Sequence, residues 1–451
     1  MAFEQSPVSR KRILILGGGF GGVYAAMEFD KHLRHRDDLE VTLVSSENFL
    51  LFTPLLHEVA AGDLYPGDIV NPLRQLLRKV RFIEAEVDRI DLDAKRVHAS
   101  RGLQRRPAEF EYDYLLLAVG SEPNFFDIHG LADNAVTMKS LSDAALLRNR
   151  MLAVMELAVL ETDKAEREKL LTFVAAGGGF AGVETIGAVN DFVKDARRLY
   201  PDLMHDAIRV VLIHPGDVVL PELGEKLGRY AQKKLGERDV EVLTGTRVTS
   251  YDDSVVKTDK VHAIPSHTLI WSAGVKPAAV IGALTLDKIK GRIKVENTTN
   301  VADRTDVWAV GDCAAVPDFK SGKPQPGTAQ HGLRQATHAA RNIIATIDGK
   351  PLKPFKFSTL GQLASIGHHA GVANILGLNF SGFIAWWLWR TVYLIKLPRL
   401  AKKTRVVAGW TLDMLFSRDF EQLFTAKDVQ TFAKLAKRFA PPSGEAADGR
   451  G

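Results

Sequence analysis

One stretch constrains the fold of this chain more than any other: an apolar run between Ile13 and Gly22 (ILILGGGFGG) breaks into five glycines. Gly17, Gly19 and Gly22 are spaced G-x-G-x-x-G, and the residues that follow can begin a helix. In a strand, turn and helix of this kind, the first glycine permits the tight turn and the second admits a pyrophosphate to the backbone. The third lets helix and strand pack closely, and the helix N-terminus offers free N–H groups and partial positive charge. The stretch therefore predicts a dinucleotide site.

The same pattern returns later in the chain, at Gly177, Gly179 and Gly182 (GGGFAG), again after an apolar run. One glycine-rich turn can occur for steric reasons alone, but two turns with the same flanking residues are harder to explain in that way. Leu115–Gly120 and Leu269–Gly274 form a second internal correspondence, since each is an apolar run that ends in small residues. A chain of 451 residues also fits two or three domains. We therefore expect an α/β protein with two Rossmann-like dinucleotide-binding domains.

The residues after the second strand of each unit bear on which nucleotide binds. In a Rossmann unit an acid at this place binds a ribose 2′-hydroxyl. The first unit has Ser45 there and Glu47 two residues later, so either Glu47 reaches the ribose or Ser45 substitutes for it. The second unit has His214 in place of the acid. Because the group that repels a 2′-phosphate is missing, we expect NADPH to be tolerated beside NADH.

Two further stretches have a functional and a purely structural interpretation. Asp312 follows Gly311 at the end of an apolar run, where its carboxylate can bind sugar or ribitol hydroxyls or can cap a helix that begins at Cys313. Residues 48–62 (NFLLFTPLLHEVAAG) are apolar without strict periodicity. They suit either a wall against a flat ring system or a core loop that leads into a helix.

Cys313 is the only cysteine of the sequence, which excludes an intramolecular disulfide, a C-x-x-C metal site and a redox dithiol. Disulfide reductases and sulfide:quinone reductases, which need cysteines, are therefore disfavoured, and we expect no metal. The net charge is +5, but no nucleic-acid-binding motif accompanies it, so we expect no nucleic acid partner. Met1–Arg12 is polar and does not resemble a signal peptide, which predicts a cytoplasmic location.

The C-terminal segment differs in composition from the rest. Phe380–Trp389 (FSGFIAWWLW) is strongly apolar, but it is too short and too close to basic residues to span a bilayer alone. Residues 380–412 contain no acid and six bases: Arg390, Lys396, Arg399, Lys402, Lys403 and Arg405. Tryptophans beside an acid-free basic stretch favour a helix in the lipid headgroup region over an oligomer interface. The segment thus predicts an amphipathic helical anchor on anionic lipid, and truncation after about Leu378 is expected to release the protein.

Together these motifs resemble the type II NADH:quinone oxidoreductases, which are single-subunit flavoenzymes that do not pump protons. The similarity runs from about Lys11 to about Arg418 and is carried by GGGFGG, FTPLLHEVAAG, GGGFAGVE, TDVWAVGDCA and TAQHGLRQ in this order. The resemblance implies FAD on the first fold and on Asp312, NADH or NADPH on the second fold, and a quinone as acceptor. It also implies that Glu184 supports electron transfer or quinone reduction.

The resemblance is incomplete at the quinone pocket. The chain matches the family pattern A-Q-x-A-x-Q at Ala329 and Gln330 but departs from the pattern at Gly332 and Arg334. Gln335 lies one residue later than the final Gln of the pattern. Whether Arg334 or Gln335 serves the pocket is open at this point. Gln330 is expected to hydrogen-bond a quinone carbonyl, and His331 or Glu184 to assist proton delivery. The alternative is that this stretch is only the polar start of a helix.

We expect residues 1–140 and 303–375 to form the FAD-binding domain, residues 141–302 the NAD(P)H-binding domain, and residues 376–451 a membrane-associated segment with a disordered tail. The predicted catalytic residues are Glu184, Gln330 and His331. The predicted cofactor contacts are Gly17, Gly19, Phe20, Gly22, Ser45, Glu47, Thr53, Pro54, Leu55, Val87, Ala118, Gly120, Gly177, Gly179, Gly182, His214, Gly274, Gly311, Asp312, Ala329 and Gln330.

The expected assembly is a homodimer, bound peripherally to the cytoplasmic face of the inner (plasma) membrane. Two other functions share the glycine motifs. A soluble NAD(P)H-dependent flavin reductase for an iron-sulfur or rubredoxin partner would have no use for the Trp-rich basic end. A membrane sensor that binds flavin without turnover would keep FAD binding and lose catalysis.

Overall fold

Two five-stranded parallel sheets organise the computed structural model, which describes residues 10–260, 263–416, 418–425, 427–428 and 430. In spatial order the first sheet contains Val307–Ala309, Tyr114–Leu117, Lys11–Leu16, Leu39–Ser45 and Arg81–Glu84. The second contains Val136–Thr137, Thr268–Trp271, Thr172–Ala176, Arg209–Ile213 and Val240–Leu243. In both sheets the strand that leads into the glycine motif is central. The predicted α/β fold with two Rossmann-like units is confirmed.

The central strands are apolar without alternation because both faces of each sheet are covered. In the first sheet, Ile15 faces a core shared with Phe29 and Ile343 from two helices, and Leu16 faces a second core. All four residues are fully buried. Their burial stabilises the packing of the first sheet against its helices and so keeps its glycine turn in place.

The helices that cover the sheets and complete the C-terminal region have the following bounds. They are α1 (Phe20–His32), α2 (Leu56–Ala60), α3 (Leu73–Leu76), α4 (Leu131–Asn134), α5 (Leu141–Leu160), α6 (Lys164–Leu170), α7 (Phe180–Arg197), α8 (Glu225–Gly236), α9 (Ala279–Gly282), α10 (Ala329–Ile347), α11 (Phe383–Lys396) and α12 (Leu400–Leu415). Short 3₁₀ turns lie at Thr53–Leu55, Pro66–Asp68, Pro201–Leu203, Pro221–Leu223 and Gly311–Cys313.

Six smaller sheets complete the described strands. Their strands are Phe49–Leu51 with Val70–Pro72; Glu86–Asp91, Arg96–Arg101 and Arg106–Glu111; Ser121–Pro123 with Val275–Pro277; Val248–Asp252, Val255–Thr258 and Ile264–Pro265; Lys288–Ile289, Arg292–Lys294 and Ala314–Ala315; and Gly361–Ser365, Gly371–Ile375 and Leu378–Gly382. Val136–Thr137 falls within residues 1–140 yet pairs in the second large sheet, so the chain reaches that sheet before residue 140.

The C-terminal segment packs on the body of the protein instead of extending from it. Trp386, Trp389 and Trp410 are only 5%, 0% and 6% exposed, whereas Trp387 is 56% exposed. The prediction that the tryptophans lie in the lipid headgroup region is therefore wrong for the first three, because they fill the core between α11, α12 and the rest of the chain. No helix in the described part of the chain has both the length and the apolarity to cross a bilayer.

One of the six bases of this segment is enclosed by two of the buried tryptophans. The guanidinium of Arg390 lies between two indole rings, 4.1 Å from that of Trp386 and 4.7 Å from that of Trp410, which are favourable cation–π distances. Its Nη2 also lies 3.8 Å from Oε1 of Glu58 in α2. Lys402 is buried as well and donates to the carbonyl of Gly67. The predicted disordered tail lies outside the described residues.

Candidate functional site

A single cleft of about 530 Å³ brings both glycine motifs together. It is lined by the first residues of three helices: Phe20 of α1, Phe180 of α7 and Ala329 of α10. The residues preceding these helices are Gly19, Gly179 and Thr328, and none of their side chains caps the helix. Three helix N-termini with uncapped N–H groups therefore border one cleft, an arrangement that favours anionic ligands.

The first glycine turn is shaped to receive a phosphate. Gly17 has a φ of +109°, and a Cβ there would come within 2.3 Å of the carbonyl oxygen of Ala118. A Cβ on Gly22 would come within 1.8 Å of the Gly17 carbonyl oxygen, so neither position tolerates a side chain. A Cβ on Gly19 would meet no atom within 4 Å, because the space in front of the helix is open. This open space at a helix N-terminus fits the pyrophosphate of FAD.

The second turn repeats this geometry. Gly177 has a φ of +114°, and a Cβ on Gly182 would come within 1.7 Å of its carbonyl oxygen. A Cβ on Gly179 would again stand in open space. His214 lies at the strand end beside this turn, and its Nδ1 accepts a hydrogen bond of 3.1 Å from the Gly178 N–H. Burial lowers the pKa of His214, which leaves the ring neutral at pH 7.

Ser45 occupies the equivalent place in the first unit. It is buried, and a Cβ on Gly18 would come within 2.4 Å of its Oγ, so Ser45 packs under the glycine turn. Its Oγ accepts a hydrogen bond of 3.3 Å from the N–H of Glu47, and the Glu47 side chain is exposed. Of the two candidates for the ribose, Glu47 is thus the one whose carboxylate is accessible.

The Gly311–Asp312 turn is held from two sides. Gly311 has a φ of +73°, and its N–H donates to Oε1 of Gln335 at 2.9 Å. The Asp312 carboxylate accepts a hydrogen bond of 2.6 Å from the Ser121 hydroxyl and lies 3.7 Å from Nζ of Lys139, which lines the cleft. The carboxylate is thus oriented by these two side chains, and Gln335 acts on the turn and not on the cleft.

Several predicted contacts border the cleft and others do not. Thr53, Pro54 and Gly274 line it, and Gly120, with a φ of +72°, has open space where a Cβ would stand. The side chain of Leu55 is fully buried in the core, so it does not line the cleft. Val87 does not line the cleft either, because the strand of the first large sheet ends at Glu84 and Val87 lies in the strand Glu86–Asp91 of a separate sheet.

Glu184 lies where the cleft meets the C-terminal helix. Its side chain lines the cleft but is only 9% exposed. Its Oε1 accepts hydrogen bonds from the Ser365 N–H at 3.2 Å and from Nε1 of Trp389 at 2.9 Å. Burial raises the pKa of Glu184 to about 8, against the effect of these two donors. The residue is therefore a carboxylic acid at pH 7 and can donate a proton.

The start of α10 carries the motif that the sequence left ambiguous. Gln330 lines the cleft, and its amide donates to the carbonyl of Gly361 at 3.2 Å. Arg334 also lines the cleft, with its guanidinium 4.3 Å from the ring of Phe357. Since Gln335 supports Gly311 instead, Arg334 is the residue that borders the cleft.

His331 does not reach the cleft, contrary to its predicted role in proton delivery. Its side chain is 3% exposed, and its ring packs edge-on against Phe357 at 5.1 Å. Its two ring nitrogens lie 2.7 Å from the Thr328 hydroxyl and 3.4 Å from the Thr359 hydroxyl. Successive residues of a helix point about 100° apart, so His331 turns inward while Gln330 faces the cleft.

Other residues at this end of the cleft were not predicted. Tyr393 and Lys396 of α11 line it, and His57 of α2 lies beside Glu184. The sequence analysis assigned α11 to the membrane and left His57 in an apolar stretch that could be either a wall against a ring system or a core loop, so it missed their chemistry. The only available signal was the position of His57 within the FTPLLHEVAAG motif.

Comparison with known proteins places this architecture in a family. Residues 11–341 match the family model described as pyridine nucleotide-disulphide oxidoreductase, and residues 360–419 match the NDH2 C-terminal domain. The type II NADH:quinone oxidoreductase Ndh of Mycobacterium tuberculosis is 33% identical, over 98% of this chain and 97% of the relative. The chain belongs to the type II NADH:quinone oxidoreductase family. The family predicted from the motifs is confirmed.

Other family members agree with the same extent of similarity. A probable NADH dehydrogenase of Dictyostelium discoideum is 30% identical over 91% of each chain. NDH2 of Plasmodium falciparum, solved in complex with NADH, shares the fold with a TM-score of 0.83 at 20% identity, over 91% of this chain and 100% of that one. Although the larger family is named for a disulphide, the sole cysteine here, Cys313, is buried and its pKa is raised by burial to about 11.

Proposed function

We propose that this chain oxidises NADH, and NADPH where available, and reduces a membrane quinone with FAD as bound cofactor and without pumping protons. The observation that carries the proposal is one cleft lined by Phe20 and Phe180, which directly follow the two open glycine turns, and by the buried acid Glu184. When bound, FAD supplies the redox chemistry: it accepts a hydride from the nicotinamide and passes two electrons to the quinone. The residues of the chain bind, orient and supply protons.

The first turn and its surroundings hold FAD. The open N-terminus of α1 at Gly19 receives the pyrophosphate, and Gly17 and Gly22 keep the turn tight. Asp312, oriented by Ser121 and Lys139, accepts hydrogen bonds from ribityl hydroxyls. The exposed carboxylate of Glu47 accepts from the ribose.

The second turn holds the nicotinamide nucleotide. Gly179 at the start of α7 receives its pyrophosphate, as Gly19 does in the first unit. The neutral ring of His214 replaces the usual acid and neither repels nor neutralises a 2′-phosphate. We therefore propose that NADPH is accepted beside NADH.

The acceptor lies at the end of the cleft formed by α10 and α11. Gln330 uses one amide N–H for Gly361 and retains a second for a quinone carbonyl. Arg334 and Lys396 add positive charge that stabilises the negative charge developing on the quinone oxygens. Glu184, protonated at pH 7, donates a proton to the reduced quinone.

We further propose that an apolar surface on α11 and α12 contacts anionic lipid on the cytoplasmic face of the inner membrane. Ile384, Trp387 and Ile395 share one face of α11 and are 61%, 56% and 65% exposed. On α12, Leu400 and Leu415 are 76% and 71% exposed. Such a surface, with bases beside it, is typical of interfacial helices.

Lipid binding is tested by co-sedimentation with vesicles that contain anionic lipid. The double variant I384S/W387S is expected to bind more weakly, whereas L103S, which alters a 65% exposed leucine elsewhere, is expected to bind like the unchanged protein. Equal binding of both variants would contradict the assignment.

We also propose a homodimer as the active unit. A monomer in sedimentation at assay concentrations would contradict the homodimer.

The proposed reaction is tested anaerobically with the purified flavoprotein. NADH is expected to bleach the flavin absorbance, and a short-chain quinone is expected to restore it; NADPH is tested in parallel. Bleaching without reoxidation by quinone would favour the soluble reductase for a protein acceptor. No bleaching by either nucleotide would favour the sensor without turnover.

A further inference from the structure

His57 is a buried side chain at the acceptor end of the cleft that none of the roles above uses. It is 6% exposed, and its ring lies 5.3 Å from the ring of Trp389. Its Nδ1 lies 3.9 Å from Oε2 of Glu184. Its Nε2 is buried without a hydrogen-bond partner among the described residues. Because an unpaired buried nitrogen is costly, its retention calls for a functional explanation.

A group of charged side chains begins three residues after the end of α2, the helix that carries His57, and reaches the surface. We call Asp63, His368 and Arg418 the Asp63 cluster. Oδ1 of Asp63 lies 3.3 Å from Nε2 of His368 and 3.1 Å from Nη2 of Arg418. Asp63 is 6% exposed and its charge acts on His57, while the His368 side chain is 35% exposed. The cluster thus extends to solvent from the buried Asp63, whose charge raises the pKa of His57.

We propose that His57 passes protons from the Asp63 cluster to Glu184 and so replaces the proton that Glu184 gives to the quinone in each turnover. The inference rests on the proposed function. NADH, one proton and a quinone give NAD⁺ and a quinol, so each turnover draws one proton from solvent. His57 is a positioning and relay residue, because it acts through Glu184.

The relay step leaves the net charge of the ring unchanged. After Glu184 has lost its proton, its carboxylate takes the proton from Nδ1 of His57, so an O–H bond forms and an N–H bond breaks. Nε2 binds a proton that has entered from solvent through the Asp63 cluster. The two nitrogens lie on opposite sides of an imidazole, so the ring ends each transfer neutral and in the other tautomer, and it must regain the Nδ1–H tautomer by rotation before the next turnover.

The charges around His57 favour transfer at the right moment. Burial lowers the pKa of His57 to about 4, against the opposing effect of the Asp63 charge, so the resting ring carries no charge. An opposite charge at about 4 Å favours the protonated ring, and the ionised Glu184 becomes such a charge. The charged or titratable groups that surround this region are Glu58, Asp63, Glu184, His368, Arg390, Asp413 and Arg418.

The test compares one turnover with many, using His57→Asn in the FAD-loaded protein. Glu184 begins protonated at about pH 6.5, so a single reoxidation of the reduced flavin by a short-chain quinone is expected to match the unchanged enzyme within about twofold. Steady-state kcat is expected to fall roughly 10- to 100-fold, because Glu184 is no longer reloaded. A fast first turnover followed by slow ones is the signature, and a purely structural defect would slow the first turnover as well.

His57→Gln is a second variant in case the first does not fold, and His338→Asn is the matched control. His338 is a partly buried histidine that contacts Phe355 outside the cleft, so its variant is expected to keep the steady-state rate. An unchanged kcat in the His57 variants, or an equally slow first turnover, would overturn the relay. If the unchanged enzyme does not reduce quinone at all, the proposed function fails instead.

Discussion

The hydrogen bond between Trp389 and Glu184 predicts the direction in which the pKa of Glu184 changes when the bond is removed. Nε1 of Trp389 donates to Oε1 of Glu184 at 2.9 Å and so favours the ionised carboxylate. Trp389→Phe removes this donor and keeps an aromatic ring. A hydrogen bond to a charged group contributes about 1.5 to 3 kcal/mol, and one pKa unit corresponds to about 1.36 kcal/mol. The pKa of Glu184 is therefore expected to rise from about 8 by roughly one to two units.

The assay is the pH dependence of single-turnover reoxidation by a short-chain quinone. Because only the acid form of Glu184 donates a proton, the rate is expected to decline above its pKa, and in the variant this decline moves to higher pH. Trp386→Phe is the matched control, since Trp386 is also buried in α11 and contacts Arg390 instead of Glu184. A decline that stays in place or moves to lower pH in the Trp389 variant would refute the reasoning.

Three further predictions concern the acid and the nucleotide sites. The pKa of Glu184 is raised in the folded state, so folding stability is lost as the pH rises from about 4.5 to about 8. The melting temperature of Glu184→Gln relative to the unchanged protein should therefore rise between about pH 5 and about pH 9. A difference that stays constant with pH would contradict this. Gly19→Val is expected to yield colourless protein, whereas Gly179→Val should stay yellow but resist bleaching by NADH; the reverse pattern would exchange the two sites. His214→Glu is expected to reduce the NADPH-to-NADH ratio of kcat/KM roughly tenfold or more, because a carboxylate repels the 2′-phosphate; an unchanged ratio would remove His214 from this role.

The parts of the site that the sequence predicted are those made by short, contiguous stretches. Gly17 and Gly177 must adopt positive φ, and Gly22 and Gly182 admit no Cβ, so the same local geometry produces the same spacing twice. Local rules also located the ends of the neighbouring strands, where Ser45 and His214 lie. These features depend on neighbours in the chain and on hard-sphere contacts, which a single sequence records.

The environment of Glu184 could not be predicted in the same way. Its contacts come from Ser365, Trp389 and His57, which are 181, 205 and 127 positions away in the sequence. Only the packing of α2, α7, α11 and the strand Gly361–Ser365 brings them together, and the burial that results raises the pKa of the carboxyl group. The assignment of His331 failed for a related reason, since its neighbour Gln330 faces the cleft and the helix turns His331 inward.

Composition also misled the interpretation of the C-terminal segment. The basic residue Arg390 was counted as exposed because no acid lies nearby in sequence, yet its carboxylate partner is Glu58 in α2. Once Arg390 has this partner, two indoles can enclose its guanidinium, and Trp386 and Trp410 become core residues. The exposed apolar surface that we propose for lipid contact lies elsewhere on α11, around Trp387.

This packing makes the C-terminal helices part of the candidate site as well as of the proposed lipid contact. Trp389 holds the acid Glu184, and Tyr393 and Lys396 line the acceptor end of the cleft. Truncation after about Leu378 would remove all three and uncover the core that α11 fills, so it is expected to cost folding and quinone reduction together and not merely to release the protein from lipid. Under the proposed lipid contact, the distance between membrane and acceptor is short for the same reason, since one face of α11 would meet lipid while the other borders the cleft proposed for the quinone.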